Sequence, residues 1–340
     1  MQPAAGARWR PWVILIISAV GILTALGFSL LLMFAGGINL LDETLPASNS
    51  LPIINLGWAS TLVAVLCIPG LVFSILELRG KTLVEKPGQR NLIFASLAFL
   101  VWIGLVFLFK PLETSRIAWL VLPPLVILTT VIPLWWYLEA GRRGLSGGTH
   151  ARTWGVVSFS LVVSLPLILL LELFVLILIL SAAGIYIGAQ PELTTQLEQF
   201  AQQLSDFNYN PEMVQGLLGD LLQKPGVIAI TLAVAAGIIP LLEELFKPLA
   251  VWLLAGERLT PAQGFVAGMW SGACFALYKN LTALSAAGNG DGTTILLARV
   301  GTGLLHMVTA GLVGWGLASA WANIKNLGRL VIVYLLAVFL

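Results

Sequence analysis

Charge is what this chain has least of. Of its 340 residues only 10% are Asp, Glu, Lys or Arg, against about 25% in ordinary soluble domains. With 58% hydrophobic residues and a mean hydropathy of +0.95, a soluble globule could not hide its apolar surface, whereas a bilayer accepts it. The net charge of +2 is not gathered into a basic patch with interleaved aromatics, so nucleic acid is not an expected partner. Histidine and cysteine are scarce too, with two of each. Cys67 and Cys274 sit in apolar runs and read as small packing residues rather than a disulfide. No Cys/His spacing of the metal-binding kind occurs, and neither does a repeat. The first apolar run, from Trp12 to about Ala35, lacks a small-residue cleavage site and exceeds a signal-peptide core, so it reads as a retained span.

What the sequence does have is long apolar runs. Each span needs roughly 20 such residues, which predicts an all-α polytopic membrane protein of eight to nine transmembrane helices. The eight fall at about 12–36, 54–76, 91–109, 117–138, 154–182, 226–254, 262–284 and 294–321, and a short ninth begins near Arg329. Lys and Arg alternate in bias between the two sets of loops. Twelve lie on one side and three (Lys110, Arg116, Lys224) on the other, which predicts a cytoplasmic N-terminus. Three regions follow: five helices over 1–187, an extracytoplasmic amphipathic loop over 188–225, and a C-terminal membrane domain over 226–340. In the loop, Leu193, Leu197, Phe200 and Leu204 share one helical face. Asn210-Pro211-Glu212 opens a second face of Val214, Leu217, Leu218 and Leu221. The loop reads as a hairpin on the membrane surface or as a lid over a site within it.

Ionisable side chains at membrane depth are costly and point to function. Seven fall inside predicted spans: Glu172, Glu243, Glu244, Lys247, Lys279, Arg299 and His306, six of them in the last three of the eight spans. Lys247 is i+4 from Glu243 and i+3 from Glu244, within reach of either. Two adjacent carboxylates in low dielectric cannot both ionise cheaply, so one is expected to act as acid and one as base. Pro240 and Pro248 bracket this segment and are expected to loosen its helix. Gly264, Gly268 and Gly272 form a small-residue stripe for close helix contact. Lys279 and Asn280 follow on that helix. Arg299 and His306 share a face of the next, where Thr302, Gly303, Ala310 and Gly314 are small. Glu172 stands alone, a partner for Lys247, Lys279 or Arg299.

At these residues the sequence resembles the PrsW family of intramembrane proteases, a relative of the CAAX prenyl endopeptidases and bacteriocin-processing membrane proteases. The resemblance rests on Glu243-Glu244-Leu-Phe-Lys247, on Gly264 through Asn280, and on Arg299 with His306, within about 237–320. It implies hydrolysis of membrane-anchored protein substrates within the bilayer, in a multi-pass protein of the inner (plasma) membrane. Glu243, Glu244 and His306 would be catalytic, supported by Lys247, Lys279, Asn280 and Arg299. The family pattern reads Glu-Asn where this chain reads Lys279-Asn280. If that glutamate binds a metal or polarises water, the exchange would impair hydrolysis.

The leading expectation is therefore an intramembrane endopeptidase, or an inactive relative that still binds its substrates. One glutamate would serve as general base and the other as acid, with His306 and Asn280 holding a carbonyl oxygen or the water. With one histidine and two glutamates as candidate ligands, a cofactor-free mechanism is preferred to a zinc-dependent one. A proton-coupled transporter and a non-catalytic membrane scaffold are the alternatives. The first predicts an inverted repeat that the sequence lacks; the second predicts an ion pair of Lys279 with Glu243 or Glu244.

Overall fold

The computed structural model describes residues 9–41, 50–85, 89–113, 117–188, 225–286 and 292–340, together with Thr195, Glu198 and Gly219. The amphipathic loop expected over 188–225 lies almost wholly outside the described residues. Twelve α-helices occur among them: α1 (Trp9–Leu41), α2 (Leu51–Leu78), α3 (Gln89–Glu113), α4 (Ala118–Gly141), α5 (His150–Phe159), α6 (Leu165–Gly188), α7 (Pro225–Ala233), α8 (Ile239–Phe246), α9 (Leu249–Trp252), α10 (Pro261–Ala286), α11 (Gly292–Ala322) and α12 (Leu327–Phe339). No strand is present among the described residues. The protein is a polytopic helical membrane protein.

Among the described residues, seven helical stretches are long and apolar enough to cross a bilayer: Trp9–Leu41, Leu51–Leu78, Arg90–Leu108, Ala118–Gly141, His150–Ala182, Ile228–Trp252 and Gly292–Ala322. These follow seven of the eight expected spans. The remaining one, α10, has the length at 26 residues but not the hydropathy. The reason is its position. It supplies Met269, Ala273, Ala276 and Leu277 to one buried cluster, Ala267 to a second and Cys274 to a third. A helix wrapped by other helices needs small residues that pack more than it needs large ones that face lipid. The expected ninth span, α12, has 13 residues, about 20 Å at the helical rise and short of a bilayer core of ~30 Å.

The chain divides into two compact units, Met1–Pro166 with Glu244–Leu340, and Leu167–Glu243. In the first, the α10–α11 seam is set by glycine. A methyl group at Gly264, Gly268 or Gly272 would collide with the main-chain carbonyl of Gly314, Ala310 or His306, respectively. The stripe read from the sequence is thus a backbone-to-backbone contact.

Two π-helical turns interrupt the helices, Ser160–Ser164 between α5 and α6 and Val234–Ile238 between α7 and α8. Each ends two residues before a proline, Pro166 or Pro240. A proline has no N–H to give and its ring crowds the carbonyl four residues back, so a wider turn at that point relieves both problems. Pro248 acts more strongly. The helix breaks there, and Lys247 and Pro248 form the turn between α8 and α9.

Candidate functional site

Lys247 is 2% exposed, so its ammonium must find partners inside the protein. Its Nζ lies 2.5 Å from Glu244 Oε1 and 3.0 Å from His306 Nδ1. Thr309, one turn beyond His306 on α11, donates its hydroxyl to the same Glu244 oxygen at 3.1 Å. Glu244, one of the two carboxylates within reach of Lys247 by sequence spacing, thus receives both a cation and a hydroxyl. Glu243 is the last residue of the second unit and is also buried. Glu172 belongs to that unit as well.

Phe275 of α10 organises the cations. The Lys247 ammonium lies 4.6 Å from its ring centroid and that of Lys279 5.2 Å, both within cation–π range. The His306 ring meets it edge-on at 5.0 Å. Arg299 donates to the main-chain carbonyl of Lys279 at 3.1 Å, a tie between α11 and α10. Asn280 is 4% exposed and packs towards Gly303, where an added Cβ would lie 3.5 Å from its Nδ2. Its Oδ1 is buried without a hydrogen-bond partner among the described residues. Lys247, Lys279 and His306 are therefore gathered around Phe275, with Glu244 joined to them through Lys247, while Arg299 ties α11 to α10 beside them.

The Lys247–His306 contact fixes a proton. An ammonium only donates, so Nδ1 of His306 accepts, and the neutral ring carries its hydrogen on Nε2. In this state His306 can donate a hydrogen bond through Nε2, and neither ring nitrogen offers a free lone pair.

Three features were not read from the sequence. Ser271 of α10 donates to the Lys247 carbonyl, and Ser160 lies 2.9 Å from Ser271. Thr309 is the third. Nothing in sequence spacing pairs serines on helices so far apart; only the short i+3 step from His306 could have drawn attention to Thr309. A cavity of about 460 Å³ lies elsewhere in the first unit, lined by Phe28, Leu56, Val63, Leu161, Leu277 and Tyr278 among others, and contains none of the proposed catalytic side chains.

A second polar cluster caps the helix ends. Arg142, just past α4, pairs with Glu139 and with Glu85 of the α2–α3 connection. Thr153 donates to Glu85 at 3.0 Å. Arg10 pairs with Glu257 and lies 3.8 Å from Glu77, and Arg152 meets Glu257 at 2.6 Å. Burial works against the charge of Arg142, but Glu139 and Glu85 outweigh it and hold the guanidinium above its usual value.

The fold and the buried Glu–Lys–His group define a multi-pass membrane protein with an ionisable centre within its helices. The family model described as PrsW family intramembrane metalloprotease matches residues 210–340, so over this stretch the chain is similar to a family of intramembrane peptidases. No curated protein and no solved structure matches the chain.

The family description raises the question of a metal. Among the described residues, no three His, Cys, Asp or Glu side chains gather closely enough to hold one. The donor set explains why. The Lys247 ammonium stands between Glu244 Oε1 and His306 Nδ1, so a metal ion would have to displace it, and a ligating imidazole needs a free nitrogen. The side chains as arranged do not fit a metal.

Proposed function

We propose that the chain is an intramembrane endopeptidase of glutamate-dependent, metal-free type, acting on membrane-anchored protein substrates in the inner (plasma) membrane with its N-terminus in the cytoplasm. The observation that carries this reading is the Lys247 ammonium held between Glu244 and His306. It pairs with Glu244, assigned as the general base for water, and it sets the His306 hydrogen on Nε2, the nitrogen assigned to the oxygen of a scissile carbonyl. Glu243, the other carboxylate of the adjacent pair, is assigned the proton-donor role, and Asn280 a share in holding the carbonyl or the water. Lys247 and Arg299 set the charge balance.

Lys279 adds a second ammonium beside Phe275, where the family pattern has a carboxylate. The chain as it stands is therefore expected to cleave slowly or only to bind. The test uses purified protein in liposomes with a set of single-span reporter proteins, comparing the chain with its Lys279→Glu variant. Faster cleavage by the variant, abolished by Glu244→Gln and unaffected by chelators, is the expected result. A well-folded Lys279→Glu protein that cleaves no reporter overturns the protease reading, and loss of cleavage with chelators overturns its metal-free form.

A further inference from the structure

Lys247 opens the turn at which the helix breaks. In an unbroken helix the amide of Val251 would bond the Lys247 carbonyl; here it bonds the carbonyl of Pro248 at 2.8 Å instead. A buried carbonyl that has lost its helical donor must be met by some other group.

Ser271, 1% exposed on α10, meets it through its hydroxyl. A serine hydroxyl has one hydrogen. Since that of Ser271 goes to Lys247, the bond between Ser160 and Ser271 at 2.9 Å runs from Ser160 to Ser271. The relay starts at the first residue of the π-helical turn, crosses α10 and ends on the residue whose ammonium serves Glu244 and His306. It joins three segments spread over 111 positions of sequence.

We propose that Ser271, oriented by Ser160, is a positioning residue for Lys247. It fixes the main chain at the break so that one ammonium reaches Glu244 and His306 together, and through Lys247 it holds the His306 hydrogen on Nε2. Without Ser271 the Lys247 carbonyl loses this donor, and the ammonium is no longer held to Glu244 and His306 together. The catalytic consequence rests on the proposed function; the effect on the histidine does not.

The molecule supplies its own control. Ser18 and Ser158 form another buried serine pair at 3.0 Å between α1 and α5, with no link to Lys247. The experiment is nitrogen NMR of histidine-labelled, full-length protein in nanodiscs. With two histidines in the chain, the His306 signals are assigned by their loss in His306→Gln. The expected pattern is an unprotonated Nδ1 and a protonated Nε2 in the parent and in Ser158→Ala. Ser271→Ala and Ser160→Ala should instead give mixed tautomers. In the Lys279→Glu background, Ser271→Ala should lower kcat on a single-span reporter by at least about tenfold at unchanged KM, since a misplacement of ~1 Å near the chemistry can cost about a hundredfold.

An unchanged His306 spectrum in folded Ser271→Ala overturns the proposal, as does an equal disturbance in Ser158→Ala. If Ser271→Ala does not fold, Ser160→Ala, one bond further from the site, decides by the same signals. If no version cleaves, the protease reading falls while the spectra still decide the relay.

Discussion

Two groups of buried charge serve this protein, and they are built from different residues. At the helix ends, Arg10, Arg142 and Arg152 meet Glu77, Glu85, Glu139 and Glu257. Arginine is permanently charged and planar, so it can bridge two carboxylates, as Arg142 does between Glu85 and Glu139. In the α8–α10–α11 group, one lysine is shared between a carboxylate and an imidazole, and a second lysine lies across the same phenyl ring. Lysine and histidine move protons far more readily than arginine. The first group is arranged to stay as it is, and the second contains groups able to exchange a proton. Burial alone does not tell a site from a clasp, whereas the type of cation and its acceptors do.

The largest expected effect falls on the clasp. Arg142→Ala leaves Glu85 and Glu139 buried without their cation, and breaking a buried pair in this way costs about 3–5 kcal/mol. Unfolding of the purified protein in mixed detergent micelles measures the loss. Lys247→Met, which removes charge from the other group while keeping the length of the side chain, is expected to destabilise less and to affect function more. Cleavage by the Lys279→Glu protein should drop at least a hundredfold, the order seen when an electrostatic contact to the reacting centre is lost. If Arg142→Ala and Lys247→Met gave the same balance of stability and activity loss, the contrast between the clasp and the site would fail.

A smaller effect tests whether the two groups are mechanically separate. Gly268 precedes both Trp270 and Phe275 on α10, and a methyl group there meets the Ala310 backbone. Gly268→Ala should therefore push α11 away, at roughly 1–3 kcal/mol for overpacking. His306 and Thr309 ride on α11, so their contacts to Lys247 and Glu244 should loosen. Arg142 meets α10 over the Trp270 ring, 5.6 Å from its centroid, and its carboxylates come from α4 and the α2–α3 connection, so Glu85 and Glu139 should keep their partners. The two responses can be compared by cross-linking efficiency of cysteine pairs at 244/309 and 85/142. Equal loss at both would show the seam to be common to both groups.

These contrasts also mark what the sequence could reveal. The Glu244–Lys247 step of three residues, the glycine stripe and the isolated His306 are local patterns, and each has a counterpart in the folded chain. The seven stretches that qualify as spans were legible for the same reason, since hydropathy is a local sum. α10 was read as one more apolar span because its runs of Ala, Phe and Leu resemble one. Its burial within protein depends on neighbours that no window of sequence contains. The clasp was invisible in a different way. Arg10, Arg142 and Arg152 counted as topological signals, and their pairing with Glu77, Glu85, Glu139 and Glu257 is fixed by which helix ends lie side by side. Ser160 and Ser271 gave no signal, because serines are common in helices and only tertiary contact shows which of them meets a carbonyl freed by proline. The residues from 188 to 225 lie almost wholly outside the described structure, so the amphipathic pattern there remains a reading of sequence.

The smallest effect sharpens the comparison most. Thr309 donates to Glu244 Oε1, the same oxygen that receives the Lys247 ammonium. Thr309→Val keeps the shape and deletes one neutral donor, so stability should fall by about 1 kcal/mol. Thr153 makes the corresponding bond in the clasp, donating to Glu85 at 3.0 Å, and Thr153→Val should cost a similar amount. The two substitutions are thus matched in chemistry, burial and expected stability loss, and they differ in what the acceptor does. If Glu244 is a base, removing one of its donors raises its proton affinity, and the acid limb of the pH–rate profile of the Lys279→Glu protein should move to higher pH in Thr309→Val. Thr153→Val should leave that limb where it was. A shift of the same size in both, or in neither, would mean that Glu244 is a structural anion like Glu85, and that the general base lies elsewhere in the protein.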